Sequence, residues 1–391
     1  MAISNKFLDQ NYQQQLSQLV ALPSVSSTSA RWDMGNRNVI DLLATWFAEL
    51  GFNTEIIPVH NQPNKANLIA SLGSGPGGLV LAGHTDTVPY DENRWLQDPF
   101  SLTEKDGRFY GLGATDMKGF FPVVIEAVKK IIGKPLQQPL IILATADEES
   151  SMSGARELAA MGKPKARYAV IGEPTGLRPV RMHKGIIMES IRVQGLAGHS
   201  SNPALGNNAM EAMHQVIGDL LLFRTELQAK NSNLGFDVSV PTLNLGHIHG
   251  GDNPNRICGS CELHYDLRPL PGMDIEELRT LIDGRLDRIR TQTRTVIECE
   301  SLIGGVEAFE ESPHSALVQA AEKLSGYSAE SVAFATEAPF MKALGMETIV
   351  FGPGSIDQAH QPNEFIALDQ IQPAIEMIGQ LIQQFCLQKQ N

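Results

Sequence analysis

Cysteine is scarce in this sequence, with four residues among 391 (Cys258, Cys261, Cys299 and Cys386). So few cysteines in so long a chain do not build the disulfide framework of small secreted domains, which favours a reducing compartment. Long apolar runs are also missing, and no stretch approaches the roughly 18 residues that a transmembrane helix needs. We therefore predict a protein that does not span a membrane.

Basic residues are outnumbered, because 31 Lys and Arg stand against 44 Asp and Glu, a formal net charge of −13. No segment is rich in Lys or Arg, so the chain lacks the positive surface that phosphate backbones and anionic lipids recognise. The first twenty residues lack the basic start and apolar centre of a secretion signal. These absences argue against nucleic-acid and membrane partners and predict a cytoplasmic protein.

The composition is globular, and the length predicts more than one domain. With 42% hydrophobic and 19% charged residues, the chain is far from the composition of disordered proteins. After an opening helix predicted at 8–22, short apolar runs alternate with helical patterns. The runs lie at 67–72, 78–82, 140–144, 168–171, 331–334 and 348–351. This alternation predicts an α/β fold in which helices sandwich a mostly parallel sheet.

The middle of the chain has a different pattern. Between 184 and 302, alternating strands and helices follow the order β-α-β-β-α-β, which is that of a ferredoxin-like α+β unit. We therefore predict a discontinuous catalytic domain, residues 1–183 and 303–391, interrupted by an inserted domain of residues 184–302.

Histidine and acidic side chains follow the predicted strands or precede a predicted helix. They are His84, Asp86, Asp116, Glu148, Glu149, Glu173 and His360. Ligands of open α/β sheets bind outside the carboxyl ends of the strands. We therefore expect these distant segments to meet at one edge of the sheet.

This set of side chains has the chemistry of a metal site. Two imidazoles with several carboxylates suit Zn²⁺, and one carboxylate can bridge two ions about 3.5–4 Å apart. Glu148 and Glu149 point to opposite sides of an extended chain, so one can ligate while the other acts as a base. Each motif alone is more often structural, as a strand-end histidine, a solvated acidic pair or a turn. Their coincidence at strand ends favours a functional site.

The combined motifs resemble the dinuclear zinc aminoacylase and carboxypeptidase family of metallohydrolases, over nearly the whole chain. They are His84-x-Asp86, Asp116-Met-Lys-Gly, Glu148-Glu149, Gly-Glu173-Pro and His360. Longer stretches, such as Leu-Ala-Gly-His-Thr-Asp-Thr-Val-Pro and Ala-Thr-Glu-Ala-Pro-Phe, resemble its bacterial members that deacetylate N-alpha-acetyl-L-ornithine. The resemblance implies metal-dependent hydrolysis of an N-acylated amino acid.

The resemblance also implies two divalent ions per chain, with Zn²⁺ expected first and Co²⁺ as the alternative. His84, Asp116 and Glu173 would hold one ion. Asp116, Glu149 and His360 would hold the other, so that Asp116 bridges the two.

Further roles come from the same resemblance. Glu148 would be the general base, and Asp86 would accept a hydrogen bond from His84 and fix its tautomer. The Asp116–Met117 peptide would be cis. His199, which is otherwise readable as a loop histidine, would reach the active site of a partner subunit and stabilise the oxyanion. The inserted domain would then be a dimerisation lid, and the protein a homodimer.

Four further residues are candidates for substrate recognition. Arg256 and Arg268 suit a substrate carboxylate because the guanidinium binds it through two parallel hydrogen bonds, although a solvated arginine explains either one equally well. Lys184 is a third candidate at the start of the inserted domain. Glu337, in Thr-Glu-Ala-Pro, is a hypothetical acceptor for the side-chain ammonium of ornithine.

Two other functional interpretations remain open at this stage. The nearer is a relative with a different acyl group or amino acid, such as a succinyl-diaminopimelate desuccinylase or a dipeptidase. The other is a metal-binding adaptor without catalysis, although the presence of Glu148 beside a full ligand set argues against it.

Overall fold

The structure is a computed structural model that describes residues 11–388. Its α-helices are α1 (Tyr12–Val20), α2 (Arg37–Glu49), α3 (Phe120–Lys129), α4 (Ser153–Met161), α5 (Ala209–Lys230), α6 (Ile275–Thr293), α7 (Ala316–Ser325), α8 (Ala338–Ala343) and α9 (Leu368–Ile382). Its strands are β1 (Asn53–Pro58), β2 (Ala66–Leu72), β3 (Leu79–His84), β4 (Thr103–Lys105), β5 (Arg108–Tyr110), β6 (Leu140–Thr145), β7 (Tyr168–Ile171), β8 (Val180–His183), β9 (Ile187–Gln194), β10 (Thr242–Gly250), β11 (Ser260–Arg268), β12 (Val296–Ser301), β13 (Phe309–Glu310), β14 (Glu330–Val332), β15 (Glu347–Val350) and β16 (Phe365–Ala367).

The predicted opening helix corresponds to α1, which begins after a capping box. The Asn11 side chain accepts from the backbone N–H of Gln14, and the Gln14 side chain accepts from that of Asn11. Residues 8–10 of the prediction lie outside the described residues.

The chain divides into two compact units. The first unit contains the chain up to Arg181, Glu311–Glu330 and the chain from Thr336 onward. The second unit contains Met182–Glu310 and Ser331–Ala335.

The first unit contains the predicted α/β sheet, with neighbouring strands in the order β1-β2-β6-β3-β7-β15. Strands β6, β3, β7 and β15 are parallel, whereas β2 pairs with β6 and β1 with β2 in the antiparallel sense. Every residue of β3, β6 and β7 is buried, because helices cover both faces of a parallel sheet. The mostly parallel α/β prediction is confirmed.

The predicted strand at 331–334 is present but shorter. It is β14 (Glu330–Val332), which pairs with β8 in the same sheet and lies outside the run of parallel strands. Ala333 is exposed and Val332 only half-buried, so the apolar composition of this run does not reflect a central strand.

The parallel strands bring distant parts of the sequence to one edge. His84 is the last residue of β3, and β6 and β7 end nearby at Thr145 and Ile171. A continuous hydrophobic core supports these strands, and within it α3 packs against α9 and α1. The loops that follow them carry the candidate ligands.

The second unit confirms the predicted ferredoxin-like order, β9-α5-β10-β11-α6-β12. Its antiparallel sheet has the strand order β10-β11-β9-β12. Alternate residues of these strands, such as Ile191 and Leu263, pack in one core cluster with Val216 of α5 and Ile282 of α6. The helices therefore cover one face of the sheet.

Candidate metal centre

His84 is fully buried at the end of β3, and its Nε2 atom faces two carboxylates. Nε2 lies 3.0 Å from Oδ1 of Asp116 and 3.8 Å from Oε1 of Glu173. Burial lowers the pKa of His84, but the hydrogen bond to Asp116 and the charges of Glu173 and Asp86 outweigh it and raise the pKa well above its usual value. The Nε2 atom of His84 therefore lies among carboxylate oxygens, which is the environment of a histidine that binds a metal ion.

The tautomer of His84 is fixed by a backbone carbonyl. Nδ1 lies 2.9 Å from the carbonyl oxygen of Asp86, and only 3.7 Å from its Oδ1. The prediction that the Asp86 carboxylate accepts from His84 is therefore wrong in this detail. Both oxygens of that carboxylate instead accept hydrogen bonds from backbone N–H groups, Oδ1 from Glu148 at 3.2 Å and Oδ2 from Glu149 at 3.1 Å. With Nδ1–H donated to the carbonyl, Nε2 is left to bind a metal.

A second histidine approaches the same aspartate from the opposite side. His360 Nε2 lies 2.9 Å from Oε2 of Glu149 and 3.5 Å from Oδ2 of Asp116. The hydrogen bond to Glu149 raises the pKa of His360 to about 9. Asp116 thus directs one oxygen to His84 and the other to His360, the arrangement that a bridging carboxylate requires. The Asp116–Met117 peptide is cis.

Two groups of potential ligand atoms share His84. One is His84, Asp116 and Glu149 and the other is His84, Glu148 and Glu173, with the atoms of each group within 4.8 Å of one another. The five predicted ligands and the predicted base Glu148 therefore lie around one site.

The residues present fit divalent cations. Oε1 of Glu149 is buried and has no hydrogen-bond partner within residues 11–388. Burial raises the pKa of Glu148 and of Glu173 well above the usual value, and neighbouring carboxylates add to both shifts. Burial and then Asp116 raise the pKa of Glu149 to about 7. Cations at this place would satisfy the free oxygen and stabilise the crowded carboxylates.

The loop that carries the two glutamates is anchored by a residue that sequence reasoning missed. Asp147, at φ 61°, accepts from Lys65 Nζ at 2.6 Å, Ser153 Oγ at 2.8 Å and Ser26 Oγ at 2.9 Å. Its partners lie up to 121 positions away, so no local pattern points to them. In the sequence, the one indication that Asp147 matters for the site is its position directly before Glu148. Glu364, which binds the loop of Asp116, was missed for the same reason.

Glu337 directly precedes α8 and is 1% exposed. Its Oε2 accepts from Thr145 Oγ1 at 2.9 Å, whereas its Oε1 is buried without a hydrogen-bond partner among the described residues. Burial raises the pKa of Glu337 to about 7, opposed by His84 and the Thr145 bond. Oε1 of Glu337 is therefore a buried hydrogen-bond acceptor for which the described residues supply no donor.

The remaining predicted residues lie in the second unit. His199 is exposed, its Nδ1 accepts from Ser201 Oγ at 2.8 Å, and it forms a β-bridge with Arg256. Arg256 itself pairs with Asp252 at 2.5 Å. His199 and Arg256 are therefore backbone neighbours.

The charged groups of Arg268 and Lys184 already form hydrogen bonds with other residues of the second unit. Nε of Arg268 donates to both carboxylate oxygens of Asp266, at 2.8 and 3.1 Å. Lys184 is 2% exposed, and its Nζ donates to the carbonyl of Val240 at 2.7 Å. Burial and then the charge of Arg268 lower the pKa of Lys184.

Residues 80–384 match the profile of Peptidase family M20/M25/M40. Among solved structures, a family M20 metallo-carboxypeptidase from Sulfolobus solfataricus has TM-score 0.77 and 20% identity, covering 96% of this chain and 99% of its own. A tripeptidase from Staphylococcus aureus has TM-score 0.74 and 19% identity, with 96% and 98% covered. A dinuclear metal-binding family M20 peptidase from Bacillus subtilis has TM-score 0.66 and 13% identity, with 96% and 98% covered.

The profile spans most of the chain, and the chain therefore belongs to peptidase family M20/M25/M40, whose fold and metal-dependent hydrolase chemistry agree with the site. The identities to the solved structures are low and bear on the fold alone. Within residues 11–388, no helix has the length and apolarity needed to cross a membrane.

Proposed function

We propose that this protein is an acetylornithine deacetylase, which hydrolyses N-alpha-acetyl-L-ornithine to L-ornithine and acetate in arginine biosynthesis. The observation that carries the choice of substrate is Glu337. Its buried carboxylate has one oxygen without a donor among the described residues, and its other oxygen accepts from Thr145, the β6 residue paired with His84 of β3, so it lies close to the metal centre. An ammonium group on the substrate would supply that donor.

Two divalent ions, Zn²⁺ or Co²⁺, are proposed for the centre. His84, Asp116 and Glu173 would hold one, and Asp116, Glu149 and His360 the other. When bound, such ions lower the pKa of an attacking water toward about 7 and polarise the acyl carbonyl. The distances of both histidines to the two Asp116 oxygens, 3.0 and 3.5 Å, support this division.

Glu148 is proposed as the base that takes the proton of the attacking water and then delivers it to the leaving amine. A carboxylate oxygen of Glu148 lies within 4.8 Å of potential ligand atoms of His84 and Glu173, so the proposed base lies directly beside the proposed ligands. Asp86 supports this role by holding the backbone N–H of Glu148.

The second unit is proposed as a lid that also forms a homodimer, with His199 entering the partner's site to bind the oxyanion. Arg256, beside His199, and Arg268 are proposed for the substrate carboxylate, and Lys184 for support of the same region. Mixing inactive Glu148→Ala and His199→Ala chains tests this. About a quarter of wild-type activity should return, because half of randomly formed dimers are mixed and each has one intact site.

A substrate panel tests the choice of acetylornithine. Comparative kcat/KM for N-alpha-acetyl-L-ornithine, N-acetyl-L-methionine, N-succinyl-diaminopimelate and a simple dipeptide should rank acetylornithine first. A higher value for the succinylated substrate or for the dipeptide would assign the chain to another activity of its family. The cytoplasm is the proposed location, since the pathway substrates are soluble metabolites.

A further inference from the structure

Glu364 binds the backbone of the loop that carries Asp116. Its Oε1 accepts the N–H groups of Thr115 and Asp116 at 2.7 and 2.9 Å, and its Oε2 accepts the N–H of Gly113 at 3.0 Å. The residue is 1% exposed. One buried carboxylate therefore accepts hydrogen bonds from three of the four backbone N–H groups in the segment 113–116.

The two segments are joined at further points although they lie about 250 positions apart. The carbonyl of Glu364 accepts the N–H of Gly111 at 3.1 Å. Thr115 Oγ1 donates to the carbonyl of Phe365 at 2.5 Å. Strand β16 begins directly after Glu364 and pairs with β5 in the antiparallel sense. This pairing holds the backbone next to Glu364 in place.

The position of these bonds matters for the metal centre. The N–H of Asp116 is one of the three donors, and the carboxylate of Asp116 faces both His84 and His360. A shift of the backbone at Asp116 would therefore move the oxygens aimed at both ions. Hydrogen bonds from backbone N–H groups to a carboxylate are stronger than neutral ones, and three of them restrict the loop from one side.

We propose that Glu364 is a positioning residue that holds the Asp116 loop in its metal-binding geometry before any metal arrives. The hydrogen bonds of its carboxylate all come from backbone N–H groups of the Asp116 loop, so it acts through the backbone of the bridging ligand. The inference rests on the proposed role of Asp116 as a ligand, but not on the identity of the substrate. Residues that orient metal ligands typically change metal affinity by 10- to 100-fold when replaced.

Hydrogen exchange of the metal-free wild-type protein is the first test, because it needs no variant. The amides of Gly113, Thr115 and Asp116 should exchange slowly without metal, as slowly as amides of the neighbouring strand β3. Rapid exchange that slows only when Zn²⁺ is added would show that the metal orders the loop, and would overturn the proposal.

Zn²⁺ affinity, measured by competition with a chelating dye, is the second test. In Glu364→Gln an amide NH₂ replaces one accepting oxygen and opposes a backbone N–H, so we expect Zn²⁺ to bind at least tenfold more weakly. The matched control is Glu311→Gln. Glu311 is also buried and also accepts backbone N–H groups, from Ser312 at 2.8 Å and Thr348 at 3.1 Å, but it does not contact the Asp116 loop.

The outcomes are distinct. Weaker Zn²⁺ binding in Glu364→Gln, with wild-type affinity in Glu311→Gln, supports the proposal. Equal affinity in wild type and Glu364→Gln, or equal losses in both variants, overturns it. Asp116→Asn tests the proposed ligand set separately. If Asp116→Asn binds Zn²⁺ with wild-type affinity, the proposed ligand set is wrong. If Asp116→Asn binds Zn²⁺ more weakly while Glu364→Gln keeps wild-type affinity, only the proposed role of Glu364 is contradicted.

Discussion

The carboxylate of Asp86 accepts the backbone N–H of Glu149 at 3.1 Å, while the carbonyl of the same aspartate lies 2.9 Å from Nδ1 of His84. Asp86 therefore contacts two parts of the metal centre through two different groups. The backbone carbonyl orients the histidine, and the side chain holds the loop that presents Glu148 and Glu149.

Asp86→Asn separates these two functions. The asparagine keeps the backbone carbonyl but loses one accepting oxygen toward the loop, so we expect kcat/KM to fall at least tenfold while His84 keeps its tautomer. ¹⁵N NMR of the Zn²⁺-loaded variant should find Nδ1 of His84 still protonated. A changed tautomer would mean that the carboxylate, not the carbonyl, orients the ring.

Glu148→Ala should separate catalysis from metal binding. Since a general base contributes about 10²- to 10⁴-fold, kcat should fall by at least two orders of magnitude. Metal analysis should find the wild-type metal content, because the proposed ligands are untouched. Glu157→Ala, which removes a carboxylate from α4, is the control. Full activity in Glu148→Ala would refute the role of this residue as base.

Glu337→Gln should alter specificity more than catalysis. The substitution keeps the shape of the side chain but removes its charge, so acetylornithine should lose at least tenfold in kcat/KM relative to acetylmethionine, which has no ammonium on its side chain. Glu330→Gln, which removes a surface partner of Arg178, should leave the ratio unchanged. Equal losses for both substrates would contradict the assignment.

His183 should make the second unit sensitive to acid. It is buried, lies near Phe309, and its Nδ1 is 2.9 Å from the carbonyl of Lys184. Burial lowers the pKa of His183 to about 4, against about 6.5 in the unfolded chain. Because the unfolded chain then binds the extra proton, the free energy of unfolding should fall between pH 6.5 and 4, by about 3 kcal/mol in total.

Urea unfolding at pH 7 and pH 4.5 checks this expectation. His183→Gln cannot titrate but can still donate to the Lys184 carbonyl, so its midpoint should fall less between the two pH values than that of wild type. His314→Gln, at an exposed histidine, is the control. An identical fall in His183→Gln and wild type would show that His183 does not contribute.

The parts of the site that sequence reasoning found are chemically distinctive residues, several of them next to strands with a strong apolar pattern. His84 ends one fully buried strand and Glu173 follows another, and parallel pairing brings strand ends together. The fold class was predictable for the same reason. Only the length and place of the strand predicted at 331–334 were misjudged, because apolar composition alone does not report burial.

The parts that were missed depend on long-range bonds to the backbone. Glu364 and Asp147 act on loops whose partners lie about 250 and 121 positions away, and no periodicity records such contacts. The family resemblance implied the Asp86 carboxylate as the acceptor from His84, whereas the acceptor is the Asp86 carbonyl, a choice that the sequence motif does not decide. Such choices depend on the path of the chain through a turn.

The central claim, a metal-dependent deacetylase of acetylornithine, is tested most directly by measuring acetate release from N-alpha-acetyl-L-ornithine. The same preparation should be assayed after removal of metal by a chelator and after reconstitution with Zn²⁺ or Co²⁺. We expect no release from the metal-free protein and full recovery on reconstitution. Release that persists without metal, or a reconstituted protein that releases no acetate, would contradict the account.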